Sequence, residues 1–411
     1  MNNKLPSPSL LANTCSDMIS PYFWLNKLDS IDKTIISQSH IKRLNKLTLD
    51  RSLINNIFDQ HSSIINTSND IICKYYSSLT ESKYYQKNGN IITEDWIKNL
   101  LEINNWYDSP QLFITNRLAN ERLLPTDDMI METPDDYEFD LLQNNALDYG
   151  TLCMVTAESK DKKWLFQINQ SSAGWIKKEY IAPIHNADYQ SNKSLIIVSE
   201  AYSSLFRDPQ CTEFAMVVRM GTKLYFQGQN SIAYTIYNPI SPERPYYVLK
   251  KDVSKGFLKC TYRNIFEQAF KFMHTPYGWG DSNGFIDCSK FIQLLYSVFG
   301  ISMPRNGASQ GNTGLELFGN ETMLGKENKE AFLMANSIAG LSFFRFKGHI
   351  MLFIGMHNNK AYCLHCLYKY YDKNNVKYIV NRMIVSDLSL GEGSNIGSFL
   401  QRISQANCLL F

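Results

Sequence analysis

The sequence predicts a multidomain α+β protein, with a mostly helical N-terminal region, small β-barrels in the middle and an α+β domain at the C-terminus. Three observations predict this fold class. Apolar residues recur at helical spacing before residue 110, short β-favouring runs fill residues 111–255, and an amphipathic helix precedes two apolar strands after residue 256. The chain has 411 residues, of which 44% are hydrophobic, so it can bury several cores.

Composition also excludes some classes of partner and predicts a location. A formal net charge of +2 provides no basic field, so we expect no nucleic-acid partner. No uncharged apolar run approaches the roughly 18 residues of a membrane span. The nine cysteines are odd in number and scattered, and the N-terminus shows no signal peptide, so we expect a cytoplasmic location, with a periplasmic or secreted one as the alternative. We also expect a monomer, although no sequence pattern reports the oligomeric state.

Residues 1–110 read as a mostly helical stabilising domain. Ile41, Leu44 and Leu47 lie on one side of a helix that Ser37 or Ser39 could cap. Such periodic apolar positions are typical of a packed core, and this region shows no group of residues with catalytic chemistry.

Residues 111–255 show short β-favouring runs that alternate with turn residues. Strands of this length and spacing predict small barrels rather than βαβ units, and the length fits one barrel at 111–190 and a second at 191–255. Trp164 and Trp175 could form a barrel core or an aromatic binding face, and we favour the core because large aromatic side chains are mostly buried.

Residues 256–411 carry the chemistry. A helix is expected over 264–273, a glycine-rich stretch follows at 277–284, and a second helix is expected over 288–299. Two apolar strands are expected at 348–356 and 361–367.

Cys288 is the candidate nucleophile. It lies in the first turn of the second helix, directly after the glycine-rich stretch, with Asp287 at the N-cap. The partial positive charge of a helix N-terminus stabilises a thiolate, so we expect an ionised sulfur. The alternative is that Cys288 is a small buried apolar residue.

A thiolate nucleophile needs a base, and His349 and His365 lie in the two strands that follow. A turn of two or four residues centred on Asn358-Asn359 would put the two rings on opposite faces of the sheet. A catalytic pair with His365 as the orienting residue therefore requires an odd turn or a β-bulge.

A metal site is the competing interpretation of this segment. Cys363, His365 and Cys366 are close in sequence, but neighbouring strand positions alternate in direction and no second cysteine pair completes a zinc site. We therefore expect no metal and no cofactor.

Several short motifs surround these residues, namely Tyr277-Gly278-Trp279-Gly280, Asp287-Cys288-Ser289, Met303-Pro304-Arg305-Asn306 and Gly348-His349-Ile350-Met351-Leu352. Together with His365 they resemble the signature of the NlpC/P60 family of cell-wall cysteine peptidases. Residues 24–47, 122–126, 139–144 and 262–270 are similar to the subgroup with two bacterial SH3 (SH3b) domains and an N-terminal helical region. Asp281 departs from this signature, because it stands where the family has a second glycine.

The resemblance implies a papain-like catalytic domain at 256–411 and two SH3-like barrels before it. It implies Cys288 as nucleophile, His349 as general base and His365 as orienting residue. Tyr277 would stabilise the oxyanion, Asp287 would pair with the α-amine of the substrate, and Ser289 would hydrogen-bond nearby.

The implied substrate is the γ-D-glutamyl to diamino acid bond of peptidoglycan stem peptides or muropeptide fragments with a free N-terminal L-Ala. Two alternatives stay open. The chain could be a non-catalytic cell-wall-binding protein, or a Cys/His acyltransferase or deamidase that acts on another protein.

Overall fold

A computed structural model describes residues 4–57, 61–184, 194–319 and 326–410 of the chain. Its contacts divide the chain into two units. The first comprises Met1–Leu53, Leu258–Tyr277 and Phe285–Phe411, and the second comprises Ile54–Phe257 and Gly278–Gly284. The predicted helical region at 1–110 is thus divided between the units, and the predicted boundary between the barrels, at 190/191, lies outside the described residues.

The helices of the first unit are α1 (Pro21–Leu25), α2 (Gln38–Asp50), α5 (Tyr262–Phe270), α6 (Cys288–Ser297), α7 (Gly307–Gln310), α8 (Lys326–Asn336) and α9 (Phe399–Arg402). The second unit contains α3 (His61–Thr80) and α4 (Glu94–Leu100). The helix predicted around Ile41 and Leu44 is α2, in which both side chains are buried and Ser37 accepts the N-cap hydrogen bond. Over the described residues, we find no helix with the length and apolarity that a bilayer crossing needs.

One mixed sheet organises the first unit. Its strands in chain order are β1 (Lys4–Pro6), β20 (Leu315–Phe318), β21 (Ser342–Phe346), β22 (His349–His357), β23 (Lys360–Tyr371), β24 (Lys377–Asp387) and β25 (Gln405–Cys408). They lie in the order β1-β24-β23-β22-β21-β25-β20, and the pair β1–β24 is parallel. A separate short pair joins β2 (Thr34–Ile36) to β19 (Cys260–Thr261).

Helix α6 packs against β22 and β23. Its predicted apolar stripe is buried, as expected for an amphipathic helix laid on a sheet, and consists of Phe291, Ile292, Leu295, Val298 and Phe299.

The hairpin between β22 and β23 has a two-residue turn. His357 pairs with Lys360, and the two residues between them, Asn358 and Asn359, have positive φ angles of 48° and 56°. Asparagine tolerates this left-handed conformation better than most residues, and positive φ at both central positions is what a tight hairpin turn requires. This even turn by itself would direct His349 and His365 to opposite faces of the sheet.

A β-bulge in the same hairpin reverses that outcome. The register shifts by one residue just before Gly355, whose φ is 130°. On the side of this shift away from the turn, Leu352 pairs with Leu364. A shift of one residue exchanges the two faces of a strand. It therefore returns His365 to the face that carries His349, and the bulge that the catalytic hypothesis requires is present.

Two sheets dominate the second unit. The first contains β4 (Ile103–Thr115), β5 (Ala119–Arg122), β7 (Gln143–Leu147), β8 (Leu152–Ser159), β9 (Trp164–Ile168), β10 (Ala173–Lys177) and β11 (Ile181–Pro183). The second contains β12 (Leu195–Val198), β13 (Tyr202–Phe206), β14 (Phe214–Arg219), β15 (Lys223–Gln229), β16 (Ala233–Ile236), β17 (Tyr246–Leu249) and β18 (Val253–Lys255), and β3 (Tyr85–Gln86) pairs with β6 (Ile130–Met131). Trp164 and Trp175 lie in a buried cluster, so the core interpretation is confirmed.

The glycine-rich loop 278–284 packs within the second unit. Asp281, where the family signature has glycine, adopts a φ of 72° and is fully buried. Its carboxylate lies 3.3 Å from Arg219, a fully buried guanidinium that also binds Asp148 at 2.8 Å. Gln143 donates a hydrogen bond to the carbonyl of Gly280 at 3.0 Å. An ion pair and a hydrogen bond thus hold this loop in a conformation that is strained for a residue with a side chain.

Candidate active site

Cys288 is the first residue of α6, as the sequence predicts. Asp287 adopts an extended conformation at the N-cap, and its carboxylate accepts a hydrogen bond from the Lys290 amide at 2.7 Å. This bond satisfies one of the free amides that begin every helix. The side chain of Cys288 is half-buried.

His349 and His365 form a buried pair. The Nε2 atom of His349 lies 2.8 Å from Nδ1 of His365, and the ring centroids are 4.9 Å apart. The Nε2 atom of His365 lies 2.9 Å from Oγ of Ser386 in β24. These contacts leave Nδ1 of His349 as the ring nitrogen that is available to a reacting group.

Backbone hydrogen bonds bring the Cys288 sulfur to the start of β22. The amides of Ile350 and Ser289 both bond to it, and each lowers the pKa of the thiol. Because Ile350 directly follows His349, the sulfur lies beside the residue that begins the strand. The sulfur therefore lies against the backbone at the strand end that carries the proposed base.

The electrostatics of this pair differ from the sequence-based expectation of a thiolate. Burial, followed by the adjacent Asp287 charge, raises the pKa of Cys288 to about 12, although the Ile350 and Ser289 amides and the Arg305 charge act in the opposite direction. Burial lowers the pKa of His349 to about 3, with an additional contribution from the positive charge of Arg402. Desolvation disfavours both charged forms, so the resting pair is a neutral thiol and a neutral imidazole.

Asp287 belongs to a buried polar group with Ser289 and Arg305. Arg305 donates to the two carboxylate oxygens at 3.2 and 2.7 Å and to the Ser289 hydroxyl at 2.8 Å, while that hydroxyl donates to Asp287 Oδ1 at 2.9 Å. Burial raises the pKa of Asp287, but the Arg305 charge and the hydrogen bonds from Arg305, Lys290 and Ser289 together outweigh burial, so the pKa lies below its usual range. Asp287 is therefore an anion with a dedicated cation.

Tyr277 lies just before the glycine-rich loop and is half-buried. Its backbone amide donates to the Asn381 carbonyl at 3.1 Å, and the residue forms a parallel bridge with Ile286. Burial, followed by the charge of an ionised Cys288, raises the pKa of its phenol well above the usual value. The phenol is therefore a neutral donor that is electrostatically coupled to Cys288.

Two residues of the alternative metal site, His365 and Cys366, have other partners. Cys366 donates to the Ile286 carbonyl at 3.2 Å, and His365 is bonded to His349 and Ser386. Within residues 4–57, 61–184, 194–319 and 326–410, no three His, Cys, Asp or Glu side chains are grouped as metal ligands.

Three residues of the site received no role from the sequence. Arg305 belongs to the motif Met303-Pro304-Arg305-Asn306, and its position after a proline that follows a helix is the signal that could have identified it. Ser386 and Arg402 follow Cys288 by 98 or more residues and belong to no recognisable motif. The register of β24 brings Ser386 to His365, and α9 brings the charge of Arg402 to His349.

Comparison with known proteins identifies two domains. Residues 274–369 match the sequence model of the NlpC/P60 family, and residues 131–177 match that of SH3 domains of the SH3b1 type. The predicted resemblance to NlpC/P60 peptidases and the presence of an SH3b domain are confirmed. The second barrel and the N-terminal helical domain stay predictions.

Two similar proteins extend this comparison. A gamma-D-glutamyl-L-lysine dipeptidyl-peptidase of Bacillus cereus (strain ATCC 10987) is 21% identical over 150 residues, which are 34% of this chain and 44% of the relative. The match thus spans less than half of that relative. An NlpC/P60 endopeptidase from Photobacterium damselae subsp. piscicida is 19% identical, with 99% of both chains covered and a TM-score of 0.76, so the two chains share a fold.

Proposed function

Residues 274–369 form a cysteine peptidase domain of the NlpC/P60 type, and from this premise we propose that the chain hydrolyses the γ-D-glutamyl to diamino acid bond of peptidoglycan stem peptides. Fragments with a free N-terminal L-Ala are the proposed substrates. The Bacillus cereus relative is named for gamma-D-glutamyl-L-lysine, and this name supports the proposed bond class. We propose Cys288 as nucleophile, His349 as general base and His365 as orienting residue.

One observation carries the proposal. The Cys288 sulfur is hydrogen-bonded by the amide of Ile350, next to His349, and the His349 ring is bonded to His365 at 2.8 Å. A thiol, an imidazole and a third polar group in this order form the arrangement that activates a cysteine nucleophile.

The chemistry starts from the neutral pair. As the sulfur attacks the carbonyl carbon, its proton passes to His349 Nδ1, and the same proton then goes to the leaving nitrogen as the C–N bond breaks. His349 next removes a proton from water, which hydrolyses the thioester and restores the thiol. Because burial raises the pKa of the thiol and lowers that of His349, we propose that the proton moves during the attack.

The substrate contacts follow from the polar groups around the sulfur. Oδ1 of Asp287 accepts bonds from Lys290, Ser289 and Arg305, whereas Oδ2 accepts one bond from Arg305. We propose that Oδ2 binds the free α-amine, with Ser289 beside it. The neutral phenol of Tyr277 is proposed to donate to the oxyanion.

The test is hydrolysis of L-Ala-γ-D-Glu-diaminopimelate, followed by mass spectrometry of the products. The wild-type chain should release the diamino acid, Cys288→Ala and His349→Ala should not, and N-acetylation of L-Ala should abolish cleavage. Cys15→Ala is the matched control, because this thiol is exposed and belongs to the same unit. Full activity of Cys288→Ala would exclude the proposed nucleophile.

The same assay separates the alternatives. A non-catalytic wall-binding protein would leave the peptide intact and still sediment with cell-wall material. An acyltransferase or deamidase would yield a transferred acyl group or a loss of ammonia without cleavage of the γ-glutamyl bond. Either result would reject the proposed hydrolysis.

A further inference from the structure

Ser386 ends a chain of hydrogen bonds that begins at the proposed base. It lies in β24, pairs with Cys363 of β23, and is 1% exposed. Its hydroxyl lies 2.9 Å from Nε2 of His365, whose Nδ1 lies 2.8 Å from Nε2 of His349. Ser386 lies outside the residues that match the NlpC/P60 family model, which end at 369.

These two contacts, together with the role proposed for His349, constrain where the protons can be. To accept the proton of the Cys288 thiol, His349 must have an unprotonated Nδ1, and a neutral imidazole then carries its proton on Nε2. That proton points at Nδ1 of His365, which must act as the acceptor. His365 therefore carries its own proton on Nε2, and the Ser386 hydroxyl oxygen accepts it.

The opposite arrangement is inactive. If the Ser386 hydroxyl donated to His365, the proton of that ring would lie on Nδ1 and point at Nε2 of His349. His349 would then carry its proton on Nδ1, towards the sulfur, and could not accept another there. The imidazolium that forms during attack donates from both nitrogens, and only the arrangement with Ser386 as acceptor accommodates it.

We propose that Ser386 is a positioning residue that holds His365 in the Nε2–H tautomer and thereby keeps His349 competent as a base. This inference rests on the proposed function, because it presupposes the roles of Cys288 and His349. During the reaction one proton moves, from the Cys288 sulfur to His349 Nδ1. The protons of His365 and Ser386 stay on their atoms.

Burial makes this contact decisive. His365 is fully buried, and its pKa is well below the usual value because of burial and the neighbouring His349 charge, so the ring stays neutral. Without an acceptor at position 386, the Nε2–H group would be buried with no partner, which is unfavourable. The ring proton would then shift to Nδ1, and both histidines would adopt the inactive tautomers.

Ser386→Ala tests this role, with Ser342→Ala as a matched control. Ser342 is also a fully buried serine of the same sheet, and its hydroxyl accepts a bond from the Ile338 amide rather than from a histidine. Because Ser386→Ala loses one hydrogen bond, we expect its kcat to be about tenfold or more below that of the wild type, and its KM to stay within about twofold of the wild-type value. Ser342→Ala should keep its kcat, while thermal unfolding reports the loss of stability in both variants.

The tautomers themselves are measured by NMR of chains that contain ring-¹⁵N-labelled histidine. We expect the His365 signals to show a protonated Nε2 in the wild type and a protonated Nδ1 in Ser386→Ala. A kcat within twofold of the wild type, or a lower kcat with an unchanged His365 tautomer, would overturn the inference. Failure of the proposed function is a distinct result, because the wild-type chain would then leave the γ-glutamyl bond intact, or Cys288→Ala and His349→Ala would cleave it as the wild type does.

Discussion

The buried ion pair between Asp287 and Arg305 allows a test in which two variants should change the reactivity of one thiol in opposite directions. The Asp287 charge raises the pKa of Cys288, and the Arg305 charge lowers it. The two groups contact each other at 2.7 Å and are nearly inaccessible to solvent. We consider Asp287→Asn, which keeps an N-cap acceptor, Arg305→Met, and the double variant.

The structure predicts a large cost for each single change. Removal of one member of a buried ion pair leaves the other charge without compensation and typically costs about 3–5 kcal/mol. Arg305→Met also removes a donor from Ser289. The double variant removes both charges, so its loss of stability should be smaller than the sum of the single losses by about 2–4 kcal/mol.

The reactivity of the Cys288 thiol shows in which direction each charge shifts its pKa. A unit charge within about 10 Å contributes on the order of 2 kcal/mol at an effective dielectric constant of about 20, which is roughly tenfold or more in thiolate fraction. At pH 8, Cys288 of Asp287→Asn should react with iodoacetamide about tenfold faster than in the wild type. Cys288 of Arg305→Met should react about tenfold more slowly.

The assay combines two measurements. Mass spectrometry of the peptide that contains Cys288 gives the labelling rate, with the exposed Cys15 and Cys73 as internal controls. Calorimetry gives the stability of the unit that contains α6. The electrostatic account of this site is wrong if both single variants change the labelling rate in the same direction. It is also wrong if the loss of stability in the double variant differs from the sum of the two single losses by less than about 0.5 kcal/mol.

Three other predictions follow from single groups. First, the pKa of His349 is about 3 in the native state and about 6.5 in the unfolded chain. The free energy of unfolding, measured in urea, should therefore fall by up to about 5 kcal/mol as pH decreases from 6.5 towards 3. This fall should be smaller in His349→Gln. Second, Arg402→Gln should raise the pKa of His349, because it removes a positive charge, and should move the acid limb of the pH profile of kcat/KM to higher pH. Third, Gly280→Ala should lower the unfolding temperature more than Gly256→Ala. Both glycines have positive φ, but a Cβ at 280 would overlap the backbone of Gln143, whereas nothing lies within 4 Å at 256.

The local parts of the site could be predicted from sequence. The N-cap at Asp287, the helix that begins at Cys288 and its buried stripe depend on residues within about three turns of each other, and such short-range patterns are visible in a sequence. The apolar strands that contain His349 and His365 were predicted for the same reason. The NlpC/P60 signature is likewise a local pattern.

Pairing between distant segments required the tertiary structure. The turn at Asn358-Asn359 is even, and only the bulge before Gly355 brings His365 to the face of His349. Sequence allows either parity, because a one-residue shift in pairing leaves no local pattern in either strand. Ser386 reaches His365 through the register of β24, which no motif records.

The charge states of the site also depend on the tertiary structure. Sequence places Cys288 at a helix N-terminus and so predicts a thiolate, whereas burial beside Asp287 raises the pKa of that thiol to about 12. The helix terminus is a local property, but desolvation depends on every segment that covers the sulfur. The sequence alone therefore determined which groups could react, and the folded chain decided their protonation and their partners, because burial and long-range pairing exist only once distant residues have come together.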